Sequence, residues 1–371
     1  WSQLAVQIAS SRYFTKTENS ILDMVGRVSK FIASEAVSQG YISDDGEDKL
    51  YEVIYELLIR QMFAYNSPVW FNVGNTPPGV KPQGSACFIM GMEDTMSGIM
   101  DVARNEAMLF KGGSGSGINA SSLRSEGEPL SNGGVASGPL SFLRGLDRFA
   151  SAIKSGGKTR RAAKMVVMDD WHPDVLKFIL CKVEAEKHAH TLIRAGYDAG
   201  WQVNGGAYDL SDYQNTNHSV RFSDAFMEAY ENNEQWTFKD RHGNDIGEPV
   251  SARDLMMEAA RAAHFCGDPG VHFTDTINDM NCSPALGPIN ASNPCSEFLY
   301  PDNTACNLAS LNLMKFVKVG KNGASTFDAE LFSAVCKLVI MTMDVLVDAC
   351  SYPTEEIAKN SHEYRPLGLG Y

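Results

Sequence analysis

Asn293-Pro294-Cys295-Ser296-Glu297 is the stretch on which the reading of this chain turns. Pro294 forbids a helix interior and biases Asn293 toward an extended backbone. In an extended segment alternate residues share a face, so Asn293, Cys295 and Glu297 are expected to point the same way. Neighbours on that face lie roughly 6.5–7 Å apart, from a rise of about 3.3 Å per residue. An amide, a thiol and a carboxylate in such a row can span adjacent hydroxyls of one sugar ring. The plain alternative is a turn with a buried cysteine and a solvated glutamate.

Two more cysteines stand among small residues, in Gly84-Ser85-Ala86-Cys87-Phe88-Ile89 and in Thr304-Ala305-Cys306-Asn307-Leu308. Both segments read as strands. Two thiols brought together by a fold deliver two electrons on closing a disulfide; taken singly, each is a packed core cysteine. The chain holds 8 cysteines in 371 residues, too sparse for a stapled secreted scaffold, and none forms a C-x-x-C pair. A reducing cytoplasm is the expected compartment. No His/Asp/Glu set has metal-ligand spacing, so no side-chain metal site is expected.

Further out, composition bounds the function. Hydrophobic residues at 44% allow a large core and exclude wholesale disorder. Lys+Arg 32 against Asp+Glu 45 gives −13, which argues against a nucleic-acid polymer as partner. Small anionic ligands stay possible, because a local basic loop can hold a phosphate in an acidic protein. The longest apolar stretch, 338–347, is broken by Asp344, so no membrane span is expected. The first residues lack a basic leader and apolar core, so no signal peptide is expected. They also lack a start methionine, as if the sequence began inside the protein or followed processing.

Residues 1–66 read as a helical domain, with an apolar stripe at spacings of three and four through 48–59. Residues 67–371 form the second unit, where short apolar runs alternate with helices as in an α/β domain. Helices are expected behind Gly138-Pro139 as far as Gly156, behind Ser251-x-x-Asp254, and from 329 to 350. The run Lys111-Gly112-Gly113-Ser114-Gly115-Ser116-Gly117-Ile118-Asn119-Ala120 fails the P-loop pattern and follows a helix rather than a strand; it implies close backbone approach to a ligand or strand. Lys158, Arg160, Arg161 and Lys164 make a basic loop, suited to phosphates or carboxylates or simply solvated. His172-Pro173-Asp174 offers a dyad or, more plainly, a cap. The closing Arg365-Pro366-Leu367-Gly368-Leu369-Gly370-Tyr371 reads as the start of a closely approached strand, so the chain is expected to stop mid-domain.

Together these stretches resemble ribonucleotide reductase, the catalytic chain, and in detail its adenosylcobalamin-dependent class. The matches are NSPVWFNVG (66–74), GSACFI (84–89), KGGSGSGINASSLRS (111–125), SGGKTRRAAKM (155–165), WHPDVLKFI (171–179), NPCSE (293–297), ACNLASLNL (305–313) and RPLGLGY (365–371). The resemblance implies a ten-stranded α/β barrel of two five-stranded halves, threaded by a finger loop with NPCSE at its tip and preceded by a small helical domain. It implies that the barrel is incomplete here, with six or seven strands, and that a complementary C-terminal chain or segment is needed. Cys295 would be the thiyl radical that removes the ribose 3′ hydrogen, Glu297 the general base, and Asn293 a holder of hydroxyls. Cys87 would protonate the departing 2′-hydroxyl, with Cys306 closing the disulfide.

Ser67, the backbone around Ala86, and Gly115 would contact the ribonucleotide, a di- or triphosphate. Asp94 and Arg124 would bind a deoxynucleotide or ATP effector, and the loop carrying Lys158 would relay its identity. Ser131 stands where the diiron enzymes carry a second phosphate-binding arginine. Adenosylcobalamin is the implied cofactor, a thioredoxin-type protein the reductant, and a homodimer the assembly, seamed by the helices after Asp94 and from 138 to 155. The alternatives are a diiron-dependent large subunit, or a non-catalytic half of a split enzyme.

Overall fold

In a computed structural model of the chain the described residues are 1–131, 133–153, 162–201, 203–320 and 323–371. The part of the chain before the sheet is helical: α1 (Gln3–Arg12), α2 (Ile21–Ser38) and α3 (Glu47–Ile59). At the start of α2, Ser20 accepts from the Asp23 amide while the Asp23 carboxylate accepts from the Ser20 amide. This reciprocal cap satisfies two of the donors a helix start leaves open. The three-and-four spacing then buries Met24, Val25, Val28 and Ile32 of α2 against Leu50, Ile54 and Leu58 of α3. Full burial of such side chains stabilises by about 1.5–3 kcal/mol each.

The sheet begins with β1 (Phe63–Tyr65) and, after α4 (Ser67–Asn72), β2 (Cys87–Met90). Strands and helices then alternate: α5 (Met96–Lys111), β3 (Gly115–Asn119), α6 (Pro139–Ala152), β4 (Lys164–Asp169), α7 (Val175–Arg194), α8 (Ala207–Leu210) and β5 (Thr216–Phe222). Next come α9 (Asp224–Asn232), a hairpin of β6 (Gln235–Lys239) and β7 (Asp245–Ser251), α10 (Ala252–Cys266), β8 (Gly270–Phe273) and α11 (Thr274–Asp279). Strands β2, β3, β4, β5 and β8 lie side by side in that order, all parallel. Parallel neighbours need crossovers, and the helices supply them, covering the outer face with Leu109, Leu143, Phe178, Phe226 and Leu255.

A second hairpin, β9 (Ala291–Ser292) with β10 (Leu299–Tyr300), leads into β11 (Thr304–Leu311). β11 runs antiparallel to both β2 and β1, so the direction of the sheet reverses there. After a small hairpin of β12 (Val317–Val319) and β13 (Ser325–Phe327), α12 (Ala329–Ala349) and α13 (Glu355–Tyr364) return the chain to β14 (Leu367–Gly370), parallel to β11. Val335, Val339, Met343 and Leu346 of α12 complete one core with α2, α3, Ala309 and Leu311. The architecture is an α/β half-barrel, a sheet of eight strands backed by helices: five are parallel, β11 and β14 run in the opposite direction, and β1 lies antiparallel to β11.

Most expected helices form within a residue or two. Ser251 caps α10 through the Asp254 amide, and α12 spans its expected range. α6 stops at Ala152, earlier than Gly156, because Ile153 is already extended. The glycine-spaced end is β14, where a Cβ on Gly368 would sit 2.5 Å from Leu308 Cδ2. No helix of the described residues is long and apolar enough to cross a membrane.

Candidate active site

The β9–β10 hairpin is a finger whose tip is 293–298. The Asn293 amide donates to Phe298 O at 3.2 Å and the Phe298 amide to Asn293 Oδ1 at 2.9 Å. The Ser296 amide donates to Asn293 O at 3.1 Å, closing a turn with Pro294 at its second position, where a fixed φ is suited. Of the two readings of the tip, the turn holds and the extended row does not, though the cysteine of the turn is exposed rather than buried. Asn293 is fully buried, whereas Cys295 and Glu297 are exposed. The physical reason is local: an Asn side chain competes with the strand ladder by bonding backbone nearby.

The glycine run on β3 makes room for this finger. A Cβ on Gly117 would lie 1.8 Å from Ser292 O, and one on Gly115 2.7 Å from Pro294 Cγ. Only glycine lets the finger lie that close to the sheet. β5, two strands along, adds side-chain anchors: Asn217 donates to Pro294 O at 2.7 Å, and Arg221 to Asn290 O at 2.7 Å.

Under the tip, Cys87 of β2 and Cys306 of β11 are directly opposite each other in the antiparallel ladder. Opposed residues have Cβ atoms about 4.5–5.5 Å apart, so a small shift reaches the roughly 3.5–4.5 Å of a disulfide. All eight cysteines are thiols. Asn293 Nδ2 donates to Cys87 Sγ at 3.1 Å, and Cys87 Sγ reaches Glu297 Oε1 at 4.0 Å. Burial pushes the Cys306 thiol well above its ordinary range, with Cys87 and Glu297 adding to the effect, so it keeps its proton at neutral pH.

A cavity of about 320 Å³ opens at this point. Asn293, Cys295, Glu297 and Cys87 line it, together with Ser67, Ala86 and Gly115. The sequence-derived catalytic and substrate positions thus come together from four separate segments, with Cys306 adjoining through the ladder as a fifth. Ala86 contributes wall rather than free backbone: its amide donates to Cys306 O at 3.0 Å and its carbonyl accepts from Gly115 at 2.9 Å. The Ser67 hydroxyl, at the start of α4, sits 3.1 Å from Tyr13 Oη. This arrangement can hold a small polar ring against one exposed thiol and a two-thiol reductant.

Residues 85–371 match the family model described as "Ribonucleotide reductase, barrel domain", and residues 2–77 match "Ribonucleotide reductase, all-alpha domain". The chain belongs to the ribonucleotide reductase family. It is 46% identical, over its whole length, to 38% of the vitamin B12-dependent ribonucleotide reductase of Rhodopirellula baltica. Identity is 45%, again over the whole chain, to 39% of the vitamin B12-dependent ribonucleotide reductase of Streptomyces coelicolor. A vitamin B12-dependent ribonucleoside-diphosphate reductase of Mycobacterium tuberculosis is 31% identical, with 49% of it covered. The chain therefore spans less than half the length of these curated relatives.

Seen as a reductase segment, the chain has a second polar cluster beside the start of α5. Arg124 Nε donates to Asp94 Oδ2 at 2.8 Å and its amide to Asp94 Oδ1 at 3.3 Å. Arg241, from the β6–β7 turn, also pairs with Asp94 and lies 3.7 Å from Glu128 Oε1. Sequence reading missed Arg241, because it comes from a hairpin far along the chain with no local motif. Lys158 lies outside the described residues. Lys164, counted with the basic loop, is instead the first residue of β4, fully buried and paired with Glu106 of α5 at 2.8 Å. His172 is a packing residue, its Nε2 2.9 Å from Leu123 O and its Nδ1 accepting from the Asp174 amide. Burial lowers its pKa.

Proposed function

We propose that the full-length protein reduces ribonucleotides to 2′-deoxyribonucleotides by radical chemistry. The observation that carries this reading is one cavity lined by both the exposed finger-tip thiol of Cys295 and the thiol of Cys87, with Cys306 opposite Cys87 in the ladder. Cys295, as a thiyl radical, takes the 3′ hydrogen atom of the ribose. Glu297 accepts the 3′-hydroxyl proton as general base, and Asn293 holds the hydroxyls while its amide steadies Cys87. Cys87 donates the proton with which the 2′-hydroxyl leaves as water. Cys87 and Cys306 then give up two electrons as their disulfide forms, and Cys295 returns its hydrogen to C3′. Substrate and two thiols become deoxyribonucleotide, disulfide and water.

Adenosylcobalamin, when bound, supplies the one-electron oxidation that makes the thiyl. The donor set fits such a source: Cys295 is exposed at the tip, and Cys295 with Glu297 would meet it. The names of the relatives support this class over the diiron alternative. Ser67, Ala86 and Gly115 contact the nucleotide, with a complementary C-terminal segment completing its cradle. Asp94, Arg124 and Lys158 bind a deoxynucleotide or ATP effector, a thioredoxin-type protein restores the thiols, and two copies pair as a homodimer. The test is to incubate the full-length protein with adenosylcobalamin, a dithiol and a ribonucleoside di- or triphosphate, and to quantify deoxyribonucleotide. Product is expected. Product only with a diiron subunit would overturn the cofactor, and product under neither condition would overturn the reductase.

A further inference from the structure

Ser296, which follows Cys295, has φ of 64°, the left-handed region that a side chain disfavours. Something must hold it there. Its hydroxyl is 3.2 Å from His272 Nε2 on β8 and 3.2 Å from Ser292 Oγ on β9, and Ser292 Oγ donates to Asn293 O at 3.0 Å. Each serine hydroxyl has one hydrogen to give, and a carbonyl can only accept. Ser292 uses its hydrogen on Asn293 O, so Ser296 donates to Ser292. His272 must then donate through Nε2. The chain of protons has one direction, from the sheet into the tip.

We infer that His272 is a positioning residue: by donating Nε2–H to Ser296 Oγ it fixes the turn that presents Cys295. This rests on the reading of Cys295 as the radical carrier. His272 is buried, and burial together with Arg221 lowers its pKa to about 4, so its ring is neutral. A neutral ring has a single N–H, and the bond to Ser296 places it on Nε2. Arg221 is the register partner of His272 on β5 and grips the finger stem at Asn290. The two adjacent residues thus hold stem and tip. Neither is marked by any motif in its own stretch of sequence.

Hydrogen exchange on the cofactor-free, full-length protein tests this without turnover, because opening of the tip exposes the Ser296 and Phe298 amides. In His272→Leu those amides are expected to exchange about tenfold faster, the scale of one lost hydrogen bond with a buried partner. His272→Gln, whose amide N–H reaches the same place, is expected to restore most of the protection. In the holoenzyme, kcat falls about tenfold in His272→Leu with KM within about twofold, and recovers largely in His272→Gln. Ser296→Ala breaks the same relay and serves if His272→Leu does not fold. Unchanged tip exchange in the Leu and Ala variants, or a Gln variant no better than Leu, would overturn the inference. Absence of any deoxyribonucleotide from the wild-type holoenzyme would instead overturn the functional reading, leaving the exchange result to decide the positioning role.

Discussion

Cys295 and Cys306 are the same residue type in opposite settings, and each setting suits one task. Cys295 is exposed at a turn, so its removal touches little packing. Cys295→Ala is expected to abolish deoxyribonucleotide formation while melting within about 0.5 kcal/mol of wild type, as exposed substitutions do; a retained turnover rate would contradict the assignment. Cys306 is buried and keeps its proton, which suits the hydrogen-giving role proposed for it. His272 shows a third setting. Burial and Arg221 depress its folded pKa to about 4 from 6.5. The unfolded chain therefore binds more protons between those values, and the stability His272 contributes is present above 6.5 and lost as pH falls toward 4. Urea unfolding of wild type and His272→Gln across that range is expected to show wild type losing ground only below about pH 6.5. Parallel pH curves would contradict it.

At the scale of elements, the finger on β3 is the decisive contact. Gly117→Ala would set a Cβ 1.8 Å from backbone that cannot rotate away, so the finger must shift. A loss of about 3 kcal/mol or more, and most of the activity, is expected in chemical denaturation and turnover assays. Gly145 of α6 has nothing within 4 Å of its added Cβ, and Gly145→Ala is expected to stabilise by up to about 1 kcal/mol through helix propensity. Equal effects of the two would show that the finger does not rest on β3. The need for close approach at the glycine run was legible in sequence, because no other residue satisfies it. Its partner was not legible, since Ser292 is brought there by the fold. The α10 cap could be read from Ser251 and Asp254 because both groups lie within one turn. The sequence left the finger tip open between an extended row and a turn, since Pro294 restricts only its own backbone and its neighbour's, while the Asn293 side chain closes the turn. Lys164 was misread as loop, because strand register opposite Ser116, and not local charge, decides its burial.

For the whole molecule, the apolar stripe of α6 divides in two. Leu143, Leu146 and Ala150 pack into the core of their own chain, while Phe149 stays exposed, as do Met96, Met100 and Met108 of the adjoining α5. Exposed apolar side chains on two packed helices suit the proposed isologous pairing, which would bring Asp94 and Arg124, beside the start of α5, near its seam. Sedimentation of the full-length protein is expected to show a dimer at micromolar concentration with deoxynucleoside triphosphate, and Phe149→Glu is expected to shift it toward monomer. A monomer with and without nucleotide would contradict the pairing. The half-barrel itself explains why the thiols meet: sheet direction reverses between β2 and β11, and only an antiparallel pair sets Cys87 opposite Cys306 at that seam. The measurement that tests the reductase chemistry most directly is cysteine mapping after one turnover without external reductant. The full-length holoenzyme is given ribonucleotide, quenched, alkylated and digested, and its peptides are weighed. The expected result is a Cys87–Cys306 disulfide formed in step with deoxyribonucleotide, and Cys295 recovered as a thiol; deoxyribonucleotide with Cys87 and Cys306 both still alkylated, or a disulfide that contains Cys295, would contradict it.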